Sequence, residues 1–312
     1  VVQYLRPEIP GFILGAFGMA KFRGEFKPRG GSSPLLRFIL GFFLMVGALV
    51  FLGCPLRMIL RLANGDLNAL VGLLGYIFGI WIGIQFLKQG FSLGRSTKQA
   101  AISGYTMPIF SLTLLALLFT APAFIFFSEK GPGSMTAPIL LSLGVGLTIG
   151  AVVQRTRLCT AGGIRDIMLM KDFHLFWGLI GIFVFALLGN LIFNFETFEI
   201  GFEAQPIAHN DHIWNFLGMT LAGITAVLLG GCPLRQSILA GEGDTDAVVT
   251  IFGLMTGAAF AHNFSLAASG DGVGINGKIA VIIGLIVVLA IAYGVVRASA
   301  QKTAIIKAKG GA

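Results

Sequence analysis

The pentapeptide GCPLR occurs twice in this 312-residue chain, at residues 53–57 and again at residues 231–235. The chain has only three cysteines, and two of them stand in these identical stretches. At the same shift of 178 residues, Gly65-Asp66 matches Gly243-Asp244, and Gly75 and Gly79 match Gly253 and Gly257. Agreement at several separate sites with one constant spacing indicates a duplicated unit of structure, because chance would not preserve the spacing.

The composition is typical of a membrane protein. Hydrophobic residues make up 55% of the chain and charged residues 12%, whereas a soluble domain carries about 25% charged residues. We predict an all-α polytopic membrane protein with about nine transmembrane helices, short re-entrant helices and an inverted internal repeat. The predicted spans are nearly free of charge and approach the roughly 20 residues that a bilayer requires: Gly11–Ala20, Phe38–Gly53, Leu67–Leu87, Gly104–Phe127, Ile139–Val153, Phe173–Phe193, Ile213–Leu229, Ala247–Ala261 and Ile279–Val296.

The net charge of +8 does not indicate nucleic-acid binding, because the basic residues lie in short loops between the predicted spans. If loop 21–37 is cytoplasmic, nine alternating spans also place loops 88–98 and 155–171 and the C-terminal tail inside. Most Lys and Arg residues then face the cytoplasm, as the positive-inside rule requires. We therefore expect a multi-pass protein of a bacterial or archaeal cytoplasmic (inner) membrane, surrounded by lipid, with its C-terminus in the cytoplasm.

This orientation makes the two halves of the chain, residues 1–130 and 131–312, inverted copies of each other. The helix before Cys54 then runs outward and the helix before Cys232 runs inward. Inverted repeats with a binding site near the bilayer midplane are typical of transporters. The third cysteine lies in QRTRLCTAGGIRD, residues 154–166, which has no counterpart in the first half. We expect that counterpart upstream of Val1, with Val1–Ala20 matching the span around His174–Asn190.

The duplicated motif suits the start of a short helix. Proline is favoured at the first helical position, where its missing N–H costs nothing, so we expect Cys54 and Cys232 at N-caps. Gly53 and Gly231 would let the chain break sharply just before them. Non-helical backbone at membrane depth is tolerated only where it lines a cavity or packs on protein. The motif therefore predicts two broken helices at a substrate path.

Charge supports an anion as the substrate. A helix N-terminus carries free N–H groups and a partial positive charge, and Arg57 and Arg235 lie in the first turn of the two predicted helices. Asp66 and Asp244 are expected either to neutralise an arginine or to begin the next span. We assign Cys54, Cys232, Arg57, Arg235, Gly53 and Gly231 to substrate binding.

Cys159 is a third candidate, because Arg157 stands nearby and the small residues after it, beginning with Thr160, would let a backbone approach a substrate. The alternatives stay open: each cysteine could be a small packing residue, Cys54 and Cys232 could form a disulfide, and Cys159 could lie in a plain cytoplasmic loop. The glycine stripes favour close helix packing. The sequence HNDH at residues 209–212 is read as a polar loop, and we predict neither a metal nor a cofactor.

The chain resembles the YeeE/YedE family of sulfur-transport membrane proteins in the motifs GCPLR and RxRxCTAGxxRD and in the inverted arrangement of its predicted spans. VVQYLRPEIPG, EFKPRGGSSPLLRF and GCPLRMILRLANGDLNALVGL are most similar to its YedE-related subgroup, which is linked to selenium metabolism. The resemblance implies that motif cysteines line a path and pass a thiosulfate-like anion along by transient hydrogen bonds to sulfur. It implies such roles for Cys54 and Cys232, with Cys159 as a further station.

We therefore predict a non-enzymatic transporter that imports a small inorganic selenium- or sulfur-containing anion, with a cytosolic sulfur or selenium carrier protein as a further partner. No GxxxxGK[ST] nucleotide-binding motif occurs, so energy would come from a gradient, a partner or consumption of the substrate. One alternative is a membrane sulfur or selenium transferase that works through a cysteine persulfide or selenosulfide. Another is a non-transporting scaffold for a cytosolic selenium enzyme.

Overall fold

A computed structural model describes residues 5–121, 137–195, 198–203 and 205–310, the last nine of these as backbone only. The end of the fourth predicted span, residues 122–127, lies outside the described residues. The helices are α1 Glu8–Phe22, α2 Pro34–Val50, α3 Pro55–Ala63, α4 Leu67–Lys88, α5 Ala101–Gly104, α6 Thr106–Thr120, α7 Ile139–Thr156, α8 Thr160–Met170, α9 His174–Phe193, α10 His212–Leu229, α11 Pro233–Gly241, α12 Thr245–Asn263 and α13 Ile275–Gly310. A two-residue strand β1, Arg29–Gly30, pairs antiparallel with β2, Thr97–Lys98.

The all-α polytopic membrane class is confirmed. Within the described residues, seven helical stretches are long and apolar enough to cross a bilayer, and three of them join two consecutive helices: Pro34–Ala63, Leu67–Lys88, Ile139–Met170, His174–Phe193, His212–Gly241, Thr245–Asn263 and Ile275–Gln301. The first and fourth predicted spans correspond to α1 and α6, which have only 15 residues each. The total of nine spans therefore stays a prediction.

Helix boundaries repeat with the spacing of the sequence motif. Helices α2, α3 and α4 begin at Pro34, Pro55 and Leu67, and α10, α11 and α12 begin 178 residues later in each case. The inverted relation of the two halves, and their division into residues 1–130 and 131–312, stay predictions.

The break between α2 and α3 is closed by backbone hydrogen bonds in the same way as the break between α10 and α11. The N–H of Gly53 donates to the carbonyl of Ala48 over 2.8 Å, and the N–H of Gly231 donates to Ala226 over 2.9 Å. This six-residue closure requires a left-handed residue just after the helix. That residue is Leu52 (φ 65°) in the first break and Gly230 (φ 82°) in the second. The glycines expected to make the bend thus lie one position further on.

A second break follows each short helix. Gly65 (φ 90°) and Gly243 (φ 96°) take the left-handed conformation there. Asp66 then caps α4 by accepting from the Asn68 N–H over 2.8 Å, and Asp244 accepts from the N–H groups at the start of α12. Both aspartates also pair with an arginine. The two roles predicted for them as alternatives therefore occur together.

The chain divides into two compact units, each formed from three segments. The first comprises the described residues of Val1–Pro34, Arg95–Leu158 and Pro233–Ile251, and the second those of Leu35–Gly94, Cys159–Cys232 and Phe252–Ala312. In the first unit α1 packs along α7 and α11. In the second unit α4 packs along α10, and α9 packs on α3 and α8.

Glycines bring the helices of the second unit into backbone contact. A Cβ added at Gly75 on α4 would overlap the carbonyl oxygen of Phe216 on α10. A Cβ added at Gly253 on α12 would overlap the carbonyl oxygen of Phe38 on α2. These two contacts are equivalent under the 178-residue shift, so each copy of the motif packs its last helix on the first helix of the other copy. The packing role predicted for the glycine stripes is confirmed at these positions.

Gly75→Ala should lower the stability of the protein, because the added methyl group has no room against Phe216. Overpacking of this kind costs about 1–3 kcal/mol, which thermal unfolding in detergent would detect as a lower melting temperature. Gly181→Ala on α9 is the matched control, since nothing lies within 4 Å of a Cβ there. Equal melting temperatures for the two variants would contradict the packing assignment.

His209 closes the loop that follows α9 against the end of α2. Its buried Nε2–H donates to the carbonyl of Val50 over 2.8 Å, and its Nδ1 accepts from the Asp211 N–H over 3.3 Å. Acceptance at Nδ1 requires the neutral imidazole, because the protonated ring carries an N–H at that atom. Burial, the largest effect, also lowers the pKa of His209. Within the described residues, no group of three or more His, Cys, Asp or Glu could hold a metal ion.

His209 should make the protein less stable in mild acid. Because the folded state takes up this proton less readily than the unfolded chain, stability is present above the ordinary histidine pKa of about 6.5 and falls as pH drops below it. His209→Gln keeps an N–H donor for Val50 but does not titrate. The melting temperature of the wild type should therefore fall further than that of the variant between about pH 7.5 and about pH 5.5. Parallel curves would exclude this role.

Candidate functional site

Three helices, α3, α8 and α11, each begin immediately after a cysteine. Cys54 is the N-cap of α3 with Pro55 at the first helical position, as predicted, and Cys232 directly precedes Pro233 at the start of α11. Cys159 is the N-cap of α8, and its sulfur accepts from the Gly162 N–H over 3.3 Å. The sequence placed Cys159 in a loop, because no proline marks the helix start. Here the cysteine sulfur caps the helix itself.

The second unit brings the three cysteines together. The N–H of Cys232 donates to the sulfur of Cys159 over 3.4 Å. Cys54 lies within electrostatic range of Cys232, and all three are free thiols. Cys159 and Cys232 are buried, at 5% and 1% exposure, whereas Cys54 is partly exposed. The spacing of the motifs along the chain did not predict the direct contact between Cys159 and Cys232.

Tyr76 adjoins this group of cysteines and was not identified from the sequence. Its phenol lies within electrostatic range of all three cysteines, its side chain is fully buried, and its hydroxyl is 3.3 Å from the Thr160 hydroxyl. Thr160 itself was predicted. The repeat offers no signal for Tyr76, because the equivalent residue of the second copy is Leu254. The one available signal was a polar aromatic side chain within a charge-free span.

A cavity of about 550 Å³ in the second unit adjoins the first motif. Its polar lining is dominated by arginine and amide side chains: Arg57, Arg61, Asn64, Asp66, Asn190 and Gln205. Arg57 was predicted to meet the substrate, and Gly53 leaves room for it, since a Cβ there would lie 3.3 Å from Cδ of Arg57.

Arg61 supports the wall of this cavity and was not assigned a role from the sequence. Its Nε donates to Asp66 over 2.7 Å, and its Nη1 donates to the carbonyl of Phe51 over 2.8 Å. The guanidinium also lies 4.4 Å above the Phe51 ring. Arg61 thus ties the end of α2 to the start of α4, and its charge balances that of Asp66 in the cavity wall.

The other two predicted arginines lie in the first unit, where carboxylates of the same chain hold them. Arg235 pairs with Glu242 at 3.3 Å. Arg157 pairs with Glu25 at 3.4 Å and reaches Glu242 at 4.0 Å. Glu242 was not singled out from the sequence, where it is simply the residue between Gly241 and Gly243.

The remaining predicted residues have backbone roles. Gly231 donates its N–H to the closure of the second break, and Gly162 and Gly163 keep α8 close to α9, since a Cβ on either would press on Leu175 or Leu179. The site residues therefore divide into thiols at helix starts, a buried phenol and threonine, an arginine-lined cavity, and a separate arginine–carboxylate network in the first unit.

Comparison with known proteins identifies a related family. Residues 155–309 match the family described as Sulphur transport. The matched segment contains Cys159 and Cys232 and the helices that begin after them.

Two curated relatives are named thiosulfate transporter TsuA. The protein from Spirochaeta thermophila is 32% identical over 109 residues, which cover 35% of this chain and 32% of the relative. The protein from Escherichia coli is 28% identical over 125 residues, which cover 40% of this chain and 34% of the relative. The chain thus matches about a third of the length of each of these relatives. Through residues 155–309, the chain belongs to the YeeE/YedE sulfur-transport family.

Proposed function

We propose that the protein carries a small sulfur-containing oxyanion, thiosulfate or a selenium analogue, across a bacterial or archaeal cytoplasmic membrane into the cytoplasm. The names of the two curated relatives support the class of substrate. The observation that carries the proposal is that the three cysteines, each directly before a helix, lie within electrostatic range of the buried Tyr76 phenol.

The anion would first meet the cavity beside the first motif. Arg57 and Arg61 make this cavity positive, and the amides of Asn64, Asn190 and Gln205 offer further N–H donors. Guanidinium groups recognise oxyanions through paired N–H donors. The predicted orientation puts this cavity on the outer side of the membrane, where it would raise the local concentration of anion.

The thiols would then replace the water around the anion in steps. A thiol is a weak hydrogen-bond donor, and a neutral hydrogen bond contributes a net of about 0.5–1.5 kcal/mol. The partial charge of a helix start adds about 0.3–1 kcal/mol. Contacts of this size are strong enough to admit an anion between apolar helices and weak enough to release it, which conduction requires. Cys54, Cys232 and Cys159 would act as neighbouring stations, with Tyr76 and Thr160 as adjacent hydroxyl donors.

Release would occur on the cytoplasmic side. A cytosolic sulfur or selenium carrier protein that removes the anion would draw the flow inward without a nucleotide. In this proposal no bond to the substrate is made or broken, and the protein is a transporter rather than an enzyme.

Uptake of isotope-labelled thiosulfate by cells that express the natural full-length protein tests the proposal. We expect Cys54→Ala and Cys232→Ala to reduce uptake by up to about tenfold, because a loss of about 1.4 kcal/mol, near the upper end for one such hydrogen bond, corresponds to that factor. Cys159→Ala should also reduce it, and Cys159→Ser, which keeps a donor and a helix cap, should retain more. Ser237→Ala on α11 is a control, because its hydroxyl only donates to the Pro233 carbonyl. Competition by unlabelled selenite and sulfite would rank the substrates.

Other outcomes would point elsewhere. A selenosulfide or persulfide found by mass spectrometry on one cysteine after turnover would favour a transferase. If a double Cys54/Cys232 alanine variant still supports sulfur or selenium assimilation, the scaffold alternative survives and transport through the thiols is wrong.

A further inference from the structure

Glu242 lies at the end of α11 with three arginines around its carboxylate. Arg235 Nη1 is 3.3 Å from Oε1, and Arg29 Nη2 is 3.5 Å from Oε2. Arg157 Nη1 is 4.0 Å from the same Oε2. The Glu242 side chain is 3% exposed, so this carboxylate is buried at the meeting point of three positive side chains. All four residues belong to the first unit.

Two of these arginines come from the cysteine motifs. Arg157 stands two residues before Cys159, and Arg235 stands three residues after Cys232. Guanidinium groups that hold a carboxylate offer the same N–H donors to other oxyanions. Glu242 therefore lies where an oxyanion substrate would bind to these arginines. Its carboxylate pairs with the guanidinium N–H groups that such a substrate would use.

We propose that Arg29, Arg157 and Arg235 form a binding site for a divalent sulfur oxyanion, that ionised Glu242 fills this site, and that a proton taken up by Glu242 vacates it for the anion. The inference rests on the proposed transport function and deepens it. The proton comes from water and adds to a carboxylate oxygen, which gives a neutral carboxylic acid, and no covalent bond to the anion forms. Protonation of Glu242 makes the net charge of these four side chains more positive by one as the anion binds.

Glu242 is the carboxylate that the three arginines share, and the other carboxylates nearby have partners of their own. Among its charged neighbours, Asp244 pairs with Arg29 at 2.8 Å and would stay on that arginine. Glu25 pairs with Arg155 and Arg157, and a hydrogen bond from Gln154, followed by these two arginines, lowers its pKa. Glu25 thus stays ionised as pH falls and keeps its share of the network.

The helices packed against α11 carry one carboxylate within their described residues, Glu8 on α1, which pairs with Arg6 at 3.5 Å. Helix α1 also carries Lys21, which donates to the Tyr105 hydroxyl. Arg23 directly follows the last residue of this helix. Helix α7 contributes Arg155, while α6 has no charged residue. At the start of α12, the Asp246 carboxylate accepts from the backbone of Gly31 and Ser32. The carboxylate shared by three arginines is therefore that of Glu242.

Thiosulfate binding to the purified full-length protein, measured by calorimetry between about pH 5 and about pH 8, tests the exchange. Thiosulfate stays a dianion over this range. If one proton enters with the anion, the wild-type Kd should rise by up to about tenfold per pH unit as pH increases. Glu242→Gln mimics the protonated acid, so its Kd should be independent of pH and lower than that of the wild type at the alkaline end. Glu25→Gln is the matched control and should keep the wild-type slope.

A second measurement does not depend on any variant. Calorimetry of the wild type in buffers of different ionisation enthalpy counts protons, and we expect about one proton taken up per anion at the alkaline end. No proton uptake, or a wild-type slope in a folded Glu242→Gln variant, would show that Glu242 is only a structural bridge, while the transport proposal would stand. If the wild type binds no thiosulfate at any pH, both proposals fail.

Discussion

A helix that ends within an apolar layer must satisfy its last carbonyls, and the next helix must satisfy its first N–H groups. An unpaired buried group costs about 1–3 kcal/mol, so such a break persists only with a local solution. In both copies of the motif a glycine N–H returns to a carbonyl five residues back, and the following helix begins with a proline, which has no N–H to satisfy, directly after a cysteine. The cysteines thus lie at the points where the chain begins a new helix.

Broken helices also need neighbours that hold them, and glycine contacts between backbones supply this. The contact between Gly75 and Phe216 sets the position of α4 against α10. Tyr76 is the next residue, so the same contact places its phenol among the cysteines. The packing of α4 therefore determines the geometry of the site. A change that moves α4 by the width of a methyl group also moves Tyr76, the only tyrosine at the described thiol site.

Much of this could be predicted from the sequence, because motif spacing and residue chemistry act locally. A proline after cysteine indicates a helix start, and Gly65-Asp66 with its copy indicates a stop followed by a new cap; both hold. Tyr76, the contact between Cys159 and Cys232, and the arginine cluster around Glu242 could not be predicted, because each joins residues far apart in the chain. Helix α8 was missed because its cap is a sulfur without a proline. Helix α1 extends beyond the predicted span Gly11–Ala20 at both ends, whereas within the described residues α6 ends at Thr120.

The two breaks differ in backbone strain. Leu52 takes a left-handed conformation that costs a residue with a side chain about 1–2 kcal/mol, and it follows Phe51, which Arg61 clamps by stacking and by a hydrogen bond. Gly230, at the equivalent position, avoids this strain, and among the described residues nothing beyond its own chain neighbours lies within 4 Å of the position that a Cβ would take. The first break is therefore strained and held by Arg61, whereas the second has no such strain. The same motif thus forms both breaks, but only the first carries the strain of a left-handed residue with a side chain.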